Sequence, residues 1–143
     1  MLHLQAFKVI FITDFLWETN MAALRILIVE DDPAVNRLLC RFFATREHDC
    51  VSAFDAFEAL EILENQTFDL LVSDYNLPKM NGLDLVKHME RSRCHEVVLI
   101  SGDPSTLDAE EIDDLQIHFL AKPIDFGAIE TLLKKRQVQG RAK

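Results

Sequence analysis

Short apolar runs alternate five times with amphipathic stretches between residues 24 and 133, and this order constrains the fold more than any other feature. The apolar runs fall at residues 24–29, 50–54, 68–73, 97–100 and 117–120. Few polar residues interrupt them, as expected for strands that are buried on both faces of a sheet. The pattern predicts an α/β fold: a doubly wound, five-stranded parallel sheet with helices on both faces.

The helices are predicted from apolar spacing and from capping residues. Apolar residues at helical spacing follow the first run, namely Val35, Leu38, Leu39 and Phe42. Asp32 before Pro33 predicts the start of this helix, and Asp55 with Glu58 is typical of a capping box. The third and fourth helices are predicted over residues 83–91 and 107–115, and Asp125 is predicted to cap a fifth.

Composition excludes several classes of function. Lys plus Arg is 15 and Asp plus Glu is 24, and the net charge of −9 argues against a nucleic-acid surface. The four glycines build neither a phosphate-binding loop nor a dinucleotide-binding turn. The three cysteines and five histidines show no zinc-ligand spacing, and an odd cysteine count suits a reducing cytoplasm.

The first twenty residues and the last seven differ in composition from the α/β pattern between them. The apolar stretch over residues 7–16 is shorter than the roughly 20 residues that span a bilayer, so no membrane anchor is predicted. Two interpretations of residues 1–20 stay open: Met21 is the natural start, or the extension forms an extra helix or partner-binding segment. We expect one domain over residues 21–136 and a basic tail over 137–143.

Polar side chains stand where four of the predicted strands end. Glu30 and Asp31 follow the first strand, Asp74 the third, Ser101 the fourth and Lys122 the fifth. The carboxyl ends of parallel strands meet at one edge of a sheet, so these residues should converge. Clustered carboxylates repel one another unless a cation lies among them, and Mg²⁺ suits oxygen ligands. A lysine and a hydroxyl at the same edge suit a phosphoryl group.

The motifs at these strand ends resemble the receiver domain of two-component response regulators, with the stand-alone chemotaxis regulator as the simplest example. The motifs are ILIVEDD at residues 26–32, LVSDYNLPKMNG at 71–82, VLISG at 98–102 and FLAKP at 119–123. The resemblance covers about residues 24–135 and implies the flavodoxin-like (βα)₅ fold. It also implies a cis peptide bond between Lys122 and Pro123.

The resemblance implies a role for each matching residue. Asp74 would accept a phosphoryl group from a sensor histidine kinase or phosphotransfer protein, with Lys122 and Ser101 contacting that group. Mg²⁺ would be held by Glu30, Asp31, Asp74 and the backbone carbonyl of Asn76. Ser101 and Phe119 would act as the conformational switch, and Asn76 with Asp103 would tune dephosphorylation.

These roles describe a stand-alone, Mg²⁺-dependent signalling domain rather than an enzyme, although it would phosphorylate itself from small donors and dephosphorylate itself. Its kinase is expected to dock at Val35, Asn36 and Leu39 on the first helix. A downstream protein is expected on the face of the fourth helix, fifth strand and fifth helix. The alternatives are an interaction module that is never phosphorylated, a haloacid-dehalogenase-type phosphatase, and a receiver segment of a hybrid kinase.

Overall fold

The computed structural model describes residues 22–141, in which five parallel strands form one sheet. The strands are β1 Arg25–Val29, β2 Asp49–Ala53, β3 Phe68–Asp74, β4 Cys94–Ser101 and β5 Ile117–Ala121. Their order in the sheet is β2-β1-β3-β4-β5, with every pair parallel. The predicted doubly wound, flavodoxin-like fold is confirmed, and β3 is the central strand.

Five α-helices connect or follow the strands within residues 22–141. They are α1 Pro33–Ala44, α2 Ala56–Asn65, α3 Gly82–His88, α4 Ala109–Asp114 and α5 Phe126–Arg141. The predicted caps of α1 and α2 are confirmed: the Asp32 carboxylate accepts the N–H of Ala34 at 2.9 Å, and that of Asp55 accepts the N–H of Glu58 at 2.8 Å.

Several boundaries differ from the predicted ones. The third helix ends at His88 rather than at residue 91, because Met89 adopts an extended conformation while its side chain stays in the core. The fourth helix is shorter than predicted, because Asp108 is its cap rather than one of its residues. The fifth helix continues past residue 136 to Arg141. The expected extension, residues 1–20, lies outside the described residues.

The sheet separates two apolar layers. Helices α2, α3 and α4 pack on one face, and α1 and α5 pack on the other. Leu38, one of the apolar residues at helical spacing on α1, is not part of the core: it is 52% exposed. The inward face of α1 is instead centred on Asn36, Leu39 and Phe43. In the part of the chain described, no helix has the length and apolarity needed to cross a bilayer.

Candidate functional site

The ends of β1 and β3 bring three carboxylates together at the carboxyl edge of the sheet. One oxygen from each of Glu30, Asp31 and Asp74 lies within 4.8 Å of the other two. Glu30 and Asp74 are buried, whereas Asp31 is exposed. The predicted convergence of these three acids is therefore confirmed, and it follows from the register that aligns Val29 with Ser73.

Burial and like charge act together on Glu30. Burial, and then the negative charge of Asp74, raise the pKa of Glu30 to about 7, while the positive charge of Lys122 opposes this shift. The Nζ atom of Lys122 lies 3.2 Å from Oδ2 of Asp74. One lysine thus faces three acids, and this excess of negative oxygen ligands fits a small, hard divalent cation such as Mg²⁺.

Asp74 is held by its neighbours on the chain and by a close approach of α3. Its Oδ1 atom accepts the N–H of Asn76 at 3.2 Å, and the N–H of Tyr75 donates to the carbonyl of Ile100 at 2.8 Å. A Cβ atom on Gly82 would lie only 2.5 Å from the carbonyl oxygen of Asp74. A side chain at Gly82 would therefore displace Asp74.

Ser101, Lys122 and Phe119 lie at or near the ends of β4 and β5, and each has a different environment. The N–H of Lys122 donates to the carbonyl of Ser101 at 2.8 Å, and the peptide bond between Lys122 and Pro123 is cis, as predicted. The Ser101 hydroxyl is buried and accepts the N–H of Asp103 at 3.2 Å, so it bonds to its own loop. Phe119 is half-buried and packs against the layer that contains α4. The switch and tuning roles of these residues remain predictions.

The predicted kinase-docking residues of α1 need correction. Asn36 and Leu39 are each 2% exposed, so their side chains are not available on the surface for a partner. Their burial follows from the orientation of α1, whose inward face carries both residues. Leu38, one position along, is the exposed large apolar residue of this helix.

The sequence matches proteins whose family is known. A family model of the response regulator receiver domain matches residues 26–134. Protein-glutamate methylesterase/protein-glutamine glutaminase 3 of Burkholderia thailandensis is 32% identical over 144 residues, which cover 92% of this chain and 39% of that protein. The Regulator of RpoS of Escherichia coli is 34% identical over 111 residues, which cover 77% of this chain and 30% of that protein. The chain thus spans less than two fifths of the length of both relatives.

A solved structure agrees with these matches. The crystal structure of a response regulator receiver protein from Pseudomonas putida is 29% identical and superposes with a TM-score of 0.71. The similarity covers 80% of this chain and 98% of that one. The five-stranded parallel sheet agrees with this similarity. The chain therefore belongs to the receiver domain family of two-component response regulators.

Proposed function

We propose that this receiver domain accepts a phosphoryl group on Asp74 from the phosphohistidine of a sensor kinase or phosphotransfer protein, in a Mg²⁺-dependent reaction. The observation that carries the proposal is the position of Asp74: its carboxylate lies beside two further acids and 3.2 Å from the Lys122 ammonium. An acid in this setting can bind a cation and receive a phosphoryl group at the same place.

The chain's own residues supply most of the chemistry. A carboxylate oxygen of Asp74 attacks phosphorus in line, so that an O–P bond forms while the P–N bond to the donor imidazole breaks. Lys122 pairs with the phosphoryl oxygens, whose charge would otherwise repel the acids. Glu30, Asp31, Asp74 and the Asn76 carbonyl would hold Mg²⁺, which neutralises further negative charge when it is bound. The product is an acyl phosphate that the same site hydrolyses.

Signalling follows from movement beside this site. The Ser101 hydroxyl would leave its own loop for the phosphoryl group, and Phe119 would turn inward behind it. Asn76 and Asp103 are exposed at the edge of the site, where they would control the access of water to the acyl phosphate. The domain acts as a switch or phosphate relay rather than as an enzyme that turns over an external substrate.

Two surfaces are proposed for protein partners. The kinase would contact α1 through Leu38, the exposed apolar residue of that helix. A downstream protein would contact the face of α4, β5 and α5, which includes acidic side chains of α4. A groove of about 550 Å³ runs along β5 and α5 on this face, with Ile117, Phe119 and Leu132 among its lining residues. We place this exchange in the cytoplasm, because an odd number of cysteines, here three, suits a reducing compartment.

Intact-mass spectrometry tests the proposal. The full chain is incubated with Mg²⁺ and acetyl phosphate, alongside Asp74→Ala and the control Asp49→Ala, which removes an exposed acid at the opposite edge of the sheet. We expect an acid-stable, base-labile phosphoryl adduct on the wild type and on Asp49→Ala, none on Asp74→Ala, and none without Mg²⁺. A folded wild type that forms no adduct would overturn the proposal and favour an interaction module that is never phosphorylated.

A further inference from the structure

A buried polar cluster lies directly behind the acidic residues, between α1 and the ends of β1 and β2. At its centre is Asn36, which is 2% exposed. Its Nδ2 group donates to the carbonyl oxygen of Glu30 at 3.0 Å and to that of Ala53 at 3.1 Å. Its Oδ1 atom accepts the hydroxyl of Ser52 at 2.8 Å, with the Cys40 thiol 3.6 Å away. Both amide hydrogens and the amide oxygen of Asn36 are therefore used.

These bonds hold the backbone of Glu30 from both sides. The N–H of Glu30 donates to the carbonyl of Ala53 at 3.1 Å, and its own carbonyl accepts from Asn36. The side chain is held as well, because its Oε1 atom accepts the N–H of Asp32 at 3.2 Å. Glu30 thus keeps its place although burial and the neighbouring charge of Asp74 both oppose an ionised carboxylate there.

We infer that Asn36 is a positioning residue for the cation site: its amide links β1, β2 and α1 and thereby fixes the carboxylates of Glu30 and Asp31 at the separation that a small cation requires. This inference rests on the proposed Mg²⁺ site. Hydrogen bonds behind metal ligands set the orientation of those ligands, and losing one typically lowers metal affinity about 10–100-fold.

The chemistry of the cluster selects asparagine. Two carbonyl oxygens face Nδ2 and a hydroxyl donor faces Oδ1, so the side chain must offer two N–H donors on one side and an acceptor on the other. Aspartate has the acceptor but no N–H donor, and leucine has neither. A change at Asn36 would leave the carbonyl of Glu30 buried without this donor, and the loop that carries the acids would shift to recover a partner.

Calorimetric titration of the full chain with Mg²⁺ and with Ca²⁺ tests the inference. Mg²⁺ demands a rigid octahedral site, whereas Ca²⁺ accepts irregular ones, so a loosened loop should penalise Mg²⁺ more. For Asn36→Ala we expect Mg²⁺ affinity to fall about 10-fold and the ratio of Mg²⁺ to Ca²⁺ affinity to fall with it. In metal-free protein, the amide hydrogen of Asp32 should also exchange faster, because its acceptor on Glu30 is no longer fixed.

Ile129→Val is the matched control, since it trims a fully buried side chain on α5 in the same apolar layer without touching Glu30. It should leave the affinity ratio at the wild-type value. If Asn36→Ala does not fold, Ser52→Ala is the second variant: it removes the hydroxyl that donates to Oδ1 and that lies 3.0 Å from the Cys40 sulfur. Both Nδ2 bonds stay in place, so this change should lower the ratio by a smaller factor.

The positioning role would be overturned if Asn36→Ala showed the same affinity ratio as Ile129→Val. Where Ser52→Ala is needed instead, the same outcome in that variant would overturn it. A folded wild type that binds no Mg²⁺ at all would instead overturn the proposed cation site itself, so the two failures are distinguishable.

Discussion

The two halves of the carboxyl edge are held in different ways. The acidic half consists of Glu30, Asp31 and Asp74, and it is fixed by the buried Asn36 amide and by the close approach of Gly82. The response half consists of Ser101, Phe119 and α4; Ser101 is buried, but Phe119 is only partly buried. Within Ala109–Asp114 no side chain is fully buried. Surface polar contacts tie this helix down, including the ion pair between Lys87 and Glu111.

This difference in burial fits the proposed roles, in which the acidic half binds the cation and the response half moves on phosphorylation. Ligands for a cation must stay at fixed separations, because reorganising them on binding would weaken the site. Elements that move in a response are drawn from the less stable parts of a fold. The acidic half and the response half meet at Lys122, whose N–H donates to Ser101 and whose ammonium pairs with Asp74. Lys122 therefore links the Asp74 carboxylate directly to the response half.

The largest difference in unfolding free energy should come from truncating one apolar side chain on α1, behind the acidic half, and one on α4, in the response half. Leu39 on α1 is 2% exposed, whereas Ile112 on α4 is only partly buried. We expect Leu39→Ala to lower the free energy of unfolding by about 2–5 kcal/mol, because it leaves a cavity behind the acidic half. Ile112→Ala should cost less than half of that. Urea denaturation followed by circular dichroism measures both, and equal losses would contradict the contrast.

Glycine-to-alanine changes test the two halves at the backbone. A Cβ atom on Gly82 would meet the Asp74 carbonyl at 2.5 Å, whereas one on Gly102, beside Ser101, has Lys122 Cδ as its nearest neighbour at 3.9 Å. We expect Gly82→Ala to cost about 1–3 kcal/mol of unfolding free energy through overpacking. Gly102→Ala should be nearly neutral. The same denaturation experiment compares them, and a tolerated Gly82→Ala would mean that α3 moves aside freely.

His48 offers a smaller, pH-dependent test at the amino edge of the sheet, opposite the acidic half. Burial, and then the positive charge of Arg46, lower the pKa of His48, whose Nδ1 accepts the N–H of Leu24 at 3.1 Å. Because the folded-state pKa is below the unfolded value of 6.5, the full stability is present above pH 6.5. As the pH falls below 6.5, the unfolded chain takes up the proton first and stability is lost, by at most about 1.4 kcal/mol per pH unit.

The measurement is the difference in unfolding free energy between pH 7.5 and pH 5.5, for the wild type and for His48→Asn. Asparagine keeps an acceptor near Leu24 but does not titrate, so the variant should lose less stability on acidification. The other titratable groups change the unfolding free energy equally in both proteins. The difference between the two losses therefore reports on His48 alone. An identical loss in both proteins would show that His48 stays accessible to protons in the folded state.

The strand ends could be predicted from the sequence because they depend on local pattern. An apolar run that stops at a carboxylate marks both a strand end and a side chain at the edge of the sheet, so Glu30 and Asp74 were placed correctly. The caps Asp32 and Asp55 were predictable for the same reason, since their bonds reach only two or three residues along the chain.

Features that depend on distant partners were missed. Asn36 was interpreted as a surface residue, because the two carbonyls that make its burial favourable come from strand ends 6 and 17 residues away. The hydroxyl direction of Ser101 depends on the fold of its own loop, which apolar spacing does not describe. No glycine or proline marks the end of α3 at His88. The helix ends there because Met89 turns to an extended conformation with its side chain in the core.

The ion pair between Lys122 and Asp74 also has a consequence for synthesis. The two residues lie 48 positions apart, and Lys122 follows the last strand. A nascent chain that has emerged only as far as β4 already carries all three acids but not this lysine, so their repulsion is least compensated at that stage. The acids meet this lysine only when β5 joins the sheet, so a partial chain lacks the cation that pairs with Asp74.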